Sequence, residues 1–209
     1  MKEVDIQNWN RAKHYHFFKG LDFPHFNLTA NVDISHFYRF IKERNYPFSL
    51  SMVHTAIKVA NQITEFRYRI RGEMVVEHEI IHPSFTVMTE EGVFDFFSAP
   101  YIEDLSAFVV NTSQLMELAK QHAELEVDEN QDDLLYMTSI PWVSFTSIMH
   151  PIHLSPIDSI PRIAWGKFFE ENGKLKMPFS VQAHHALMDG EHLGRYFIYL
   201  QEALNHPQE

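Results

Sequence analysis

Stretches that read as strands outnumber those that read as helices, roughly eight or nine to five, and the two kinds do not alternate one for one. Strict alternation would call for a doubly wound parallel sheet. Its absence favours an α+β fold, a two-layer α/β sandwich whose mixed or antiparallel sheet carries helices on one face. The expected strands are Phe26 to Asp33, Phe66 to Ile70, Met74 to Ile80, Phe85 to Met88, Val93 to Phe97, Leu134 to Ser139, Trp142 to Ser147, Ile163 to Phe169 and Leu175 to Ala183. Arg71-Gly72-Glu73 and Asn172-Gly173 supply turns. Helices are expected from Asn8, from Asp33 or Ser35 to about Arg44, from Ser49 to Ile63, from Asp104 to about Glu124 and from Glu191 to Asn205. The segment Glu124 to Asp133 is acidic and poor in apolar residues, which suits a solvated loop. With 209 residues and neither linker nor internal repeat, one domain over 1–209 is expected.

Composition removes several function classes. The net charge of −11 argues against nucleic acid and against an anionic membrane surface. No cysteine is present, so thiol nucleophiles, disulfides and Cys-based metal sites are ruled out. No apolar run approaches a membrane span and the first residues do not resemble a signal peptide, so a cytoplasmic location is expected. Seven glycines and no Gly-rich phosphate loop make a nucleotide fingerprint hard to build. Aromatic residues are abundant, with 18 Phe, 8 Tyr and 3 Trp, more than a core of this size needs; some could line a pocket for a flat or apolar ligand.

Chemistry concentrates in Gln182-Ala183-His184-His185-Ala186-Leu187-Met188-Asp189-Gly190, a loop between a strand and a helix. Its simplest use is structural, with Asp189 as the N-cap of the last helix. Gly190 permits a tight turn, and two adjacent histidines, the second of them four residues before Asp189, permit catalysis. Fourteen histidines raise the possibility of a metal, but no H-E-x-x-H string exists, and no metal is expected. A Ser-His-Asp hydrolase lacks its G-x-S-x-G elbow. The serine-bearing string of interest is Ser139-Ile140-Pro141-Trp142, where a proline and a tryptophan can hold Ser139 rigidly at a strand end.

Asn8-Trp9-Asn10-Arg11 followed by His14-Tyr-His-Phe-Phe18, then Ser139-Ile-Pro141-Trp142, then His184-His185-Ala-Leu-Met-Asp189-Gly190-Glu-His192 together closely resemble the chloramphenicol acetyltransferases. The resemblance spans nearly the whole chain. It implies a homotrimer with active sites at subunit interfaces and a fold shared with dihydrolipoyl acyltransferase catalytic domains. The implied reaction moves an acetyl group from acetyl-coenzyme A, a co-substrate and not a resident cofactor, to a hydroxyl of chloramphenicol or another small acceptor. By the same resemblance His185 is the general base and Ser139 the donor to the tetrahedral oxyanion. Asp189 and Arg11 form a buried ion pair holding the loop, and Phe18, Phe94 and His150 surround the acceptor. Three positions depart from the family pattern: Ala164 stands where a threonine helps hold a water, His150 where an apolar residue is expected, and Phe18 where a tyrosine is common. They leave the acceptor open, so an acyltransferase for a different metabolite and a non-catalytic trimeric binder remain as alternatives.

Overall fold

The structure is a computed structural model that describes residues 1–89, 91–122 and 131–208. Six strands form the path of the main sheet: β2 (His25–Asp33), β5 (His82–Met88), β6 (Phe94–Ser98), β7 (Leu134–Ile140), β8 (Arg162–Gly166) and β10 (Lys174–His184). Their order is β2-β10-β8-β7-β5-β6, and β9 (Phe169–Glu171) pairs with β10 off this path. The β8–β7 and β7–β5 pairs are parallel and the others antiparallel, so the sheet is mixed. A smaller sheet joins β1 (Lys2–Glu3), β4 (Met74–Glu77) and β3 (Tyr68–Arg71) in the order β1-β4-β3.

Alternation along β10 explains the layers. Met177, Phe179, Val181 and Ala183 point to one side and join the main core. That core also takes residues of α2 (Ser35–Glu43), α3 (Phe48–Asn61), α4 (Leu105–His122) and α5 (Gly190–Asn205). Leu193, Tyr196, Leu200 and Leu204 form the buried stripe of α5 at helical spacing. α3 is buried over most of its surface, as its apolar composition requires. The opposite face of the sheet is polar: Ser180, Gln182 and His184 alternate with the core residues and are buried too. On that side Ser180 bonds to Asn27 and Thr29 of β2, Gln182 to His150 of the irregular segment before β8, and His184 shares a small pocket with Lys19 of α1 (Ala12–Lys19) and with His153 and Asp158 of that segment.

Several expectations need correcting, and the strand expected over Met74 to Ile80 ends at Glu77. Trp142 to Ser147 forms no strand, because β7 already has β8 and β5 on its two edges and the turn at Pro141-Trp142 throws the chain off the sheet. Trp142 is 72% exposed. The strand expected over Ile163 to Phe169 breaks after Gly166, where a Cβ would meet Val143 O and Pro178 Cγ at 2.8 Å. Tyr68 rather than Phe66 opens β3, because a 3-10 turn occupies Thr64–Arg67. A second 3-10 turn at Ile6–Asn8 precedes α1, which starts at Ala12 and not at Asn8. Within the acidic segment, residues 123–130 lie outside the described residues. Asp132 is not simply solvated, since it accepts from Arg71 and contacts His78.

Candidate active site

β10 runs to His184, so the loop before α5 is only Ala186 to Asp189 with His185 at its mouth. The His185 amide donates to Pro24 O at 2.7 Å, which ties the loop to the start of β2. Its ring stacks on Phe18 with centroids 3.8 Å apart and planes 5° from parallel, and tilts against Phe26 at 4.4 Å. Aromatic packing therefore holds the imidazole. Phe18, assigned to the acceptor by resemblance, lies directly on this ring. His185 Nδ1 is buried and has no hydrogen-bond partner among the described residues.

Asp189 does both jobs that the sequence allowed it. As N-cap of α5 it accepts from Glu191 N at 3.0 Å. Its other oxygen accepts from Arg11 Nη1 at 2.5 Å, and Arg11 Nη2 donates to His185 O at 3.4 Å. Arg11 thus links the His185–Asp189 loop to the N-terminus of α1. The pair is buried at its arginine end, while the Asp189 side chain keeps 33% exposure, less enclosed than expected. Burial pushes the Asp189 carboxyl up, but the Arg11 hydrogen bond and the nearby charges outweigh it and hold its pKa at about 2. Gly190 is the first residue of α5 with open space at its Cβ position, so no tight turn depends on it.

His192 completes this end of the loop. Its Nδ1 lies 3.1 Å from Asp189 N and 2.8 Å from Asp189 Oδ1, and its Nε2 lies 3.4 Å from Glu65 Oε1. The neutral ring accepts from the amide, and the charged ring donates to the carboxylate. Burial lowers its pKa, but the Glu65 hydrogen bond and the two carboxylates outweigh that and raise it. Asp189, Glu191 and His192 bring three possible ligand atoms within 4.8 Å. Arg11 and Arg195 already balance the two carboxylates.

Ser139 sits elsewhere. It is half-buried near the end of β7 and pairs in register with Trp165, which pairs with Phe179 of β10. Two strand spacings put it roughly 10 Å to the side of β10, and the five residues from Phe179 to His184 add roughly 17 Å along it. Ser139 and the His185–Asp189 loop therefore lie roughly 20 Å apart, at opposite ends of the sheet. Phe94 and His150 come together on a third surface. They line a cavity of about 420 Å³ on the polar face, with Phe96, Tyr136, Thr138 and Arg162. His150 is clamped there by Gln182, whose Oε1 accepts from His150 N at 2.7 Å and whose Nε2 donates to His150 O at 3.3 Å. The His150 Nε2 is buried without a hydrogen-bond partner among the described residues, and burial together with Arg162 lowers its pKa. Ala164 is fully buried between Thr138 and Ser180 in the same register row.

Read from the sequence, Gln182 has no role of its own and His192 is only one of several histidines that could ligate a metal. The signal for Gln182 was its position on the strand face that carries His184. That for His192 was its place three residues after the N-cap, where side chains reach back to the cap backbone.

The model of the chloramphenicol acetyltransferase family matches residues 1–201. The chain belongs to the chloramphenicol acetyltransferase family. It is 30% identical over 205 residues to chloramphenicol acetyltransferase 3 of Escherichia coli, covering 97% of this chain and 96% of that one. Identity is 27% over 210 residues to a chloramphenicol acetyltransferase of Bacillus pumilus, covering 100% and 95%. A solved chloramphenicol acetyltransferase superposes with a TM-score of 0.86 at 25% identity, covering 97% of this chain and 100% of that one. The dihydrolipoamide acetyltransferase of Azotobacter vinelandii shares the fold at a TM-score of 0.70 and 18% identity, covering 93% and 86%. Family membership makes this chain an acyltransferase and brings acetyl-coenzyme A with it as co-substrate. Among the described residues no helix is long and apolar enough to cross a membrane.

Proposed function

We propose that the protein, acting as one acetyltransferase domain, transfers acetyl from acetyl-coenzyme A to a hydroxyl of chloramphenicol or a close chemical relative, with His185 as general base. The acceptor O–H gives its proton to the imidazole as its oxygen attacks the thioester carbonyl. The Ser139 hydroxyl donates to the oxyanion of the tetrahedral intermediate. Collapse breaks the C–S bond, and the departing thiolate takes the proton back from the imidazolium. Asp189 stays out of these steps, because it is engaged by Arg11, the α5 N-terminus and His192.

One observation carries this reading furthest: a single chain places His185 and Ser139 at opposite ends of its sheet. A hydroxyl and a base that serve one carbonyl must approach within hydrogen-bond reach of it. Two chains must therefore share each site, and head-to-tail contacts that close on themselves give a ring. A trimer of this kind, soluble in the cytoplasm, agrees with the surface. Phe17, Phe23, Trp142, Val143, Met149 and Leu154 are each at least 47% exposed, which places part of the aromatic excess outside the core.

The coenzyme, a polyanion with a planar base, suits the Ser139 end. Tyr38, Phe48 and Phe168 cluster there with ring centroids 5.5 to 6.4 Å apart. Tyr38 also lines a groove of about 560 Å³ with Arg39, Lys42 and Lys174. A second acceptor reading, a more polar hydroxylated metabolite, is favoured by the buried, unpartnered Nε2 of His150 in the cavity wall. The deciding experiment is thiol release from acetyl-coenzyme A with chloramphenicol and then a panel of small alcohols, alongside the mass of the assembly in solution. Turnover of chloramphenicol by a trimer is expected; a monomer with full turnover would overturn the shared site.

A further inference from the structure

His184 and His25 face each other beneath the catalytic loop, paired in register across β10 and β2. His184 is fully buried and His25 is 8% exposed. The two donor patterns follow from their neighbours. His184 Nδ1 accepts from Ala186 N at 3.2 Å, so the ring proton is on Nε2. Burial above all, with the adjacent histidines, holds its pKa down at about 3, so the ring is neutral. His25 Nε2 donates to Asp158 O at 2.9 Å, so His25 Nδ1 presents a lone pair. His184 Nε2 and His25 Nδ1 are both buried and neither has a hydrogen-bond partner among the described residues. The rings meet edge to face with centroids 5.0 Å apart. Both line a chamber of about 120 Å³, partly open to solvent, together with Lys19, Pro24, His153, Ile157 and Asp158.

We propose that this chamber binds one small neutral hydroxyl compound, water in the resting enzyme, which accepts from His184 Nε2–H and donates to His25 Nδ1. The chemistry of the pair selects the ligand. A metal ion needs two lone pairs and finds one. An anion needs two donors and finds one, since Lys19 is held by Glu73 and Gly72 O. A hydroxyl offers one acceptor and one donor, which matches. A buried donor or acceptor left unpaired costs about 1–3 kcal/mol, so both rings favour an occupant. The chamber exceeds the roughly 10–15 Å³ that a water centre requires.

The bound hydroxyl also closes a chain of hydrogen bonds. It runs from the Ala186 amide through His184, the hydroxyl and His25 to Asp158, whose carboxylate holds Arg162. Asp158 and Arg162 line the acceptor cavity. His184 and His25 are thus positioning residues that tie the His185 loop to the cavity wall; this half of the inference rests on His185 as the base, whereas the bound hydroxyl does not.

A crystal structure of the whole protein at a resolution that shows solvent tests the site. One solvent peak about 2.7–3.2 Å from both His184 Nε2 and His25 Nδ1 is expected; no peak, or one touching a single ring, overturns it. Thermal melts of His184→Phe, His25→Phe and the double variant give an independent arm. Each single variant leaves one orphan and the double leaves none, so the double should lose clearly less than the sum. Additive losses would overturn the bridge, and if His184→Phe does not fold, the crystal arm decides alone. For the positioning half, thiol release should show roughly tenfold lower kcat in His184→Phe with KM for acetyl-coenzyme A unchanged, and recovery in His184→Gln, which keeps a donor. An unchanged kcat in His184→Phe would remove the positioning role and leave the bound hydroxyl standing. A wild type inactive with every acceptor would instead sink the assigned reaction, and the solvent peak would still be read.

Discussion

The two ends of the main sheet differ in how complete they are. At the His185 end one chain supplies everything: two phenyl rings on the imidazole, an amide bonded to Pro24 O, a capped helix and an arginine bridging Asp189 and the His185 carbonyl. At the Ser139 end the chain turns outward at Pro141-Trp142, the indole is largely exposed, and the serine hydroxyl joins no hydrogen bond among the described residues. On the proposed reading, a base complete on one chain and an oxyanion donor left incomplete on the same chain are joined when the Ser139 end of one chain meets the His185 end of a neighbour.

The largest effect should come from the finished end. His185→Ala is expected to cost about 10² to 10⁴ in turnover, the usual contribution of a positioned base, in a protein that still folds. The comparison sharpens when His185→Ala and Ser139→Ala chains are co-expressed. A site that draws its histidine and serine from different chains is whole in about a quarter of random combinations. Regained thiol release at up to that level is expected. A mixture no more active than its parents would return both groups to one chain and break the comparison.

Ser139→Ala alone should lower kcat by roughly 10² to 10³ while acceptor KM stays nearly constant, because the hydroxyl serves a charge that exists only near the transition state. A rise in KM with kcat intact would make Ser139 a binding residue.

These two ends were unequally legible in the sequence. The strand before His185 and the helix after Asp189 follow from periodicities that a single segment carries, and α5 buries the expected Leu193, Tyr196, Leu200 and Leu204. The resemblance named Arg11 and Asp189 as partners, and they are within 2.5 Å. Strand order is different. That β7 would be filled on both edges, leaving Trp142 to Ser147 without a place in the sheet, depends on pairing between segments far apart, which local alternation does not encode. For the same reason nothing in the string Ser-x-Pro-Trp shows that it lies roughly 20 Å from the histidine loop. His25 was likewise unreadable as a neighbour of His184, since only the β2–β10 register brings them together.

At the unfinished end, Phe168→Ala should raise KM for acetyl-coenzyme A with little change in kcat. Stacking of a base on an aromatic side chain is worth about 1–3 kcal/mol by alanine substitution, which corresponds to roughly 5- to 150-fold. An unchanged KM would move the coenzyme's base away from Tyr38, Phe48 and Phe168. At the finished end, Arg11→Ala should act through stability. A fully buried pair broken at one partner loses about 3–5 kcal/mol and an exposed one up to about 1 kcal/mol. With Arg11 buried and Asp189 a third exposed, about 1–3 kcal/mol is expected, seen as a lowered melting temperature with acceptor KM unchanged in the folded fraction. A melt that matches wild type would show the pair to be an ornament of the loop and not its anchor.

The smallest effect, His150→Leu, separates the two acceptor readings. The Gln182 clamp grips only the His150 backbone, so the substitution leaves that contact in place and changes one wall of the cavity. Leucine removes a buried nitrogen that has no hydrogen-bond partner among the described residues. If chloramphenicol presents hydrocarbon to this wall, the change exchanges a desolvated polar atom for an apolar one, and KM for chloramphenicol should fall by roughly 3- to 10-fold at constant kcat. If the natural acceptor bonds to Nε2, the same substitution should raise that acceptor's KM by about 10-fold or more, because its polar group is then left unpaired. Both shifts in one panel would favour a polar metabolite as the acceptor for which the cavity is shaped. A rise in KM for chloramphenicol itself would place a hydrogen-bonding group of the antibiotic on His150 and make the first reading the stronger one. Since neither His185 nor Ser139 is touched, kcat serves as the internal control: a fall in kcat for every acceptor would mean that the cavity wall also sets the geometry at the base.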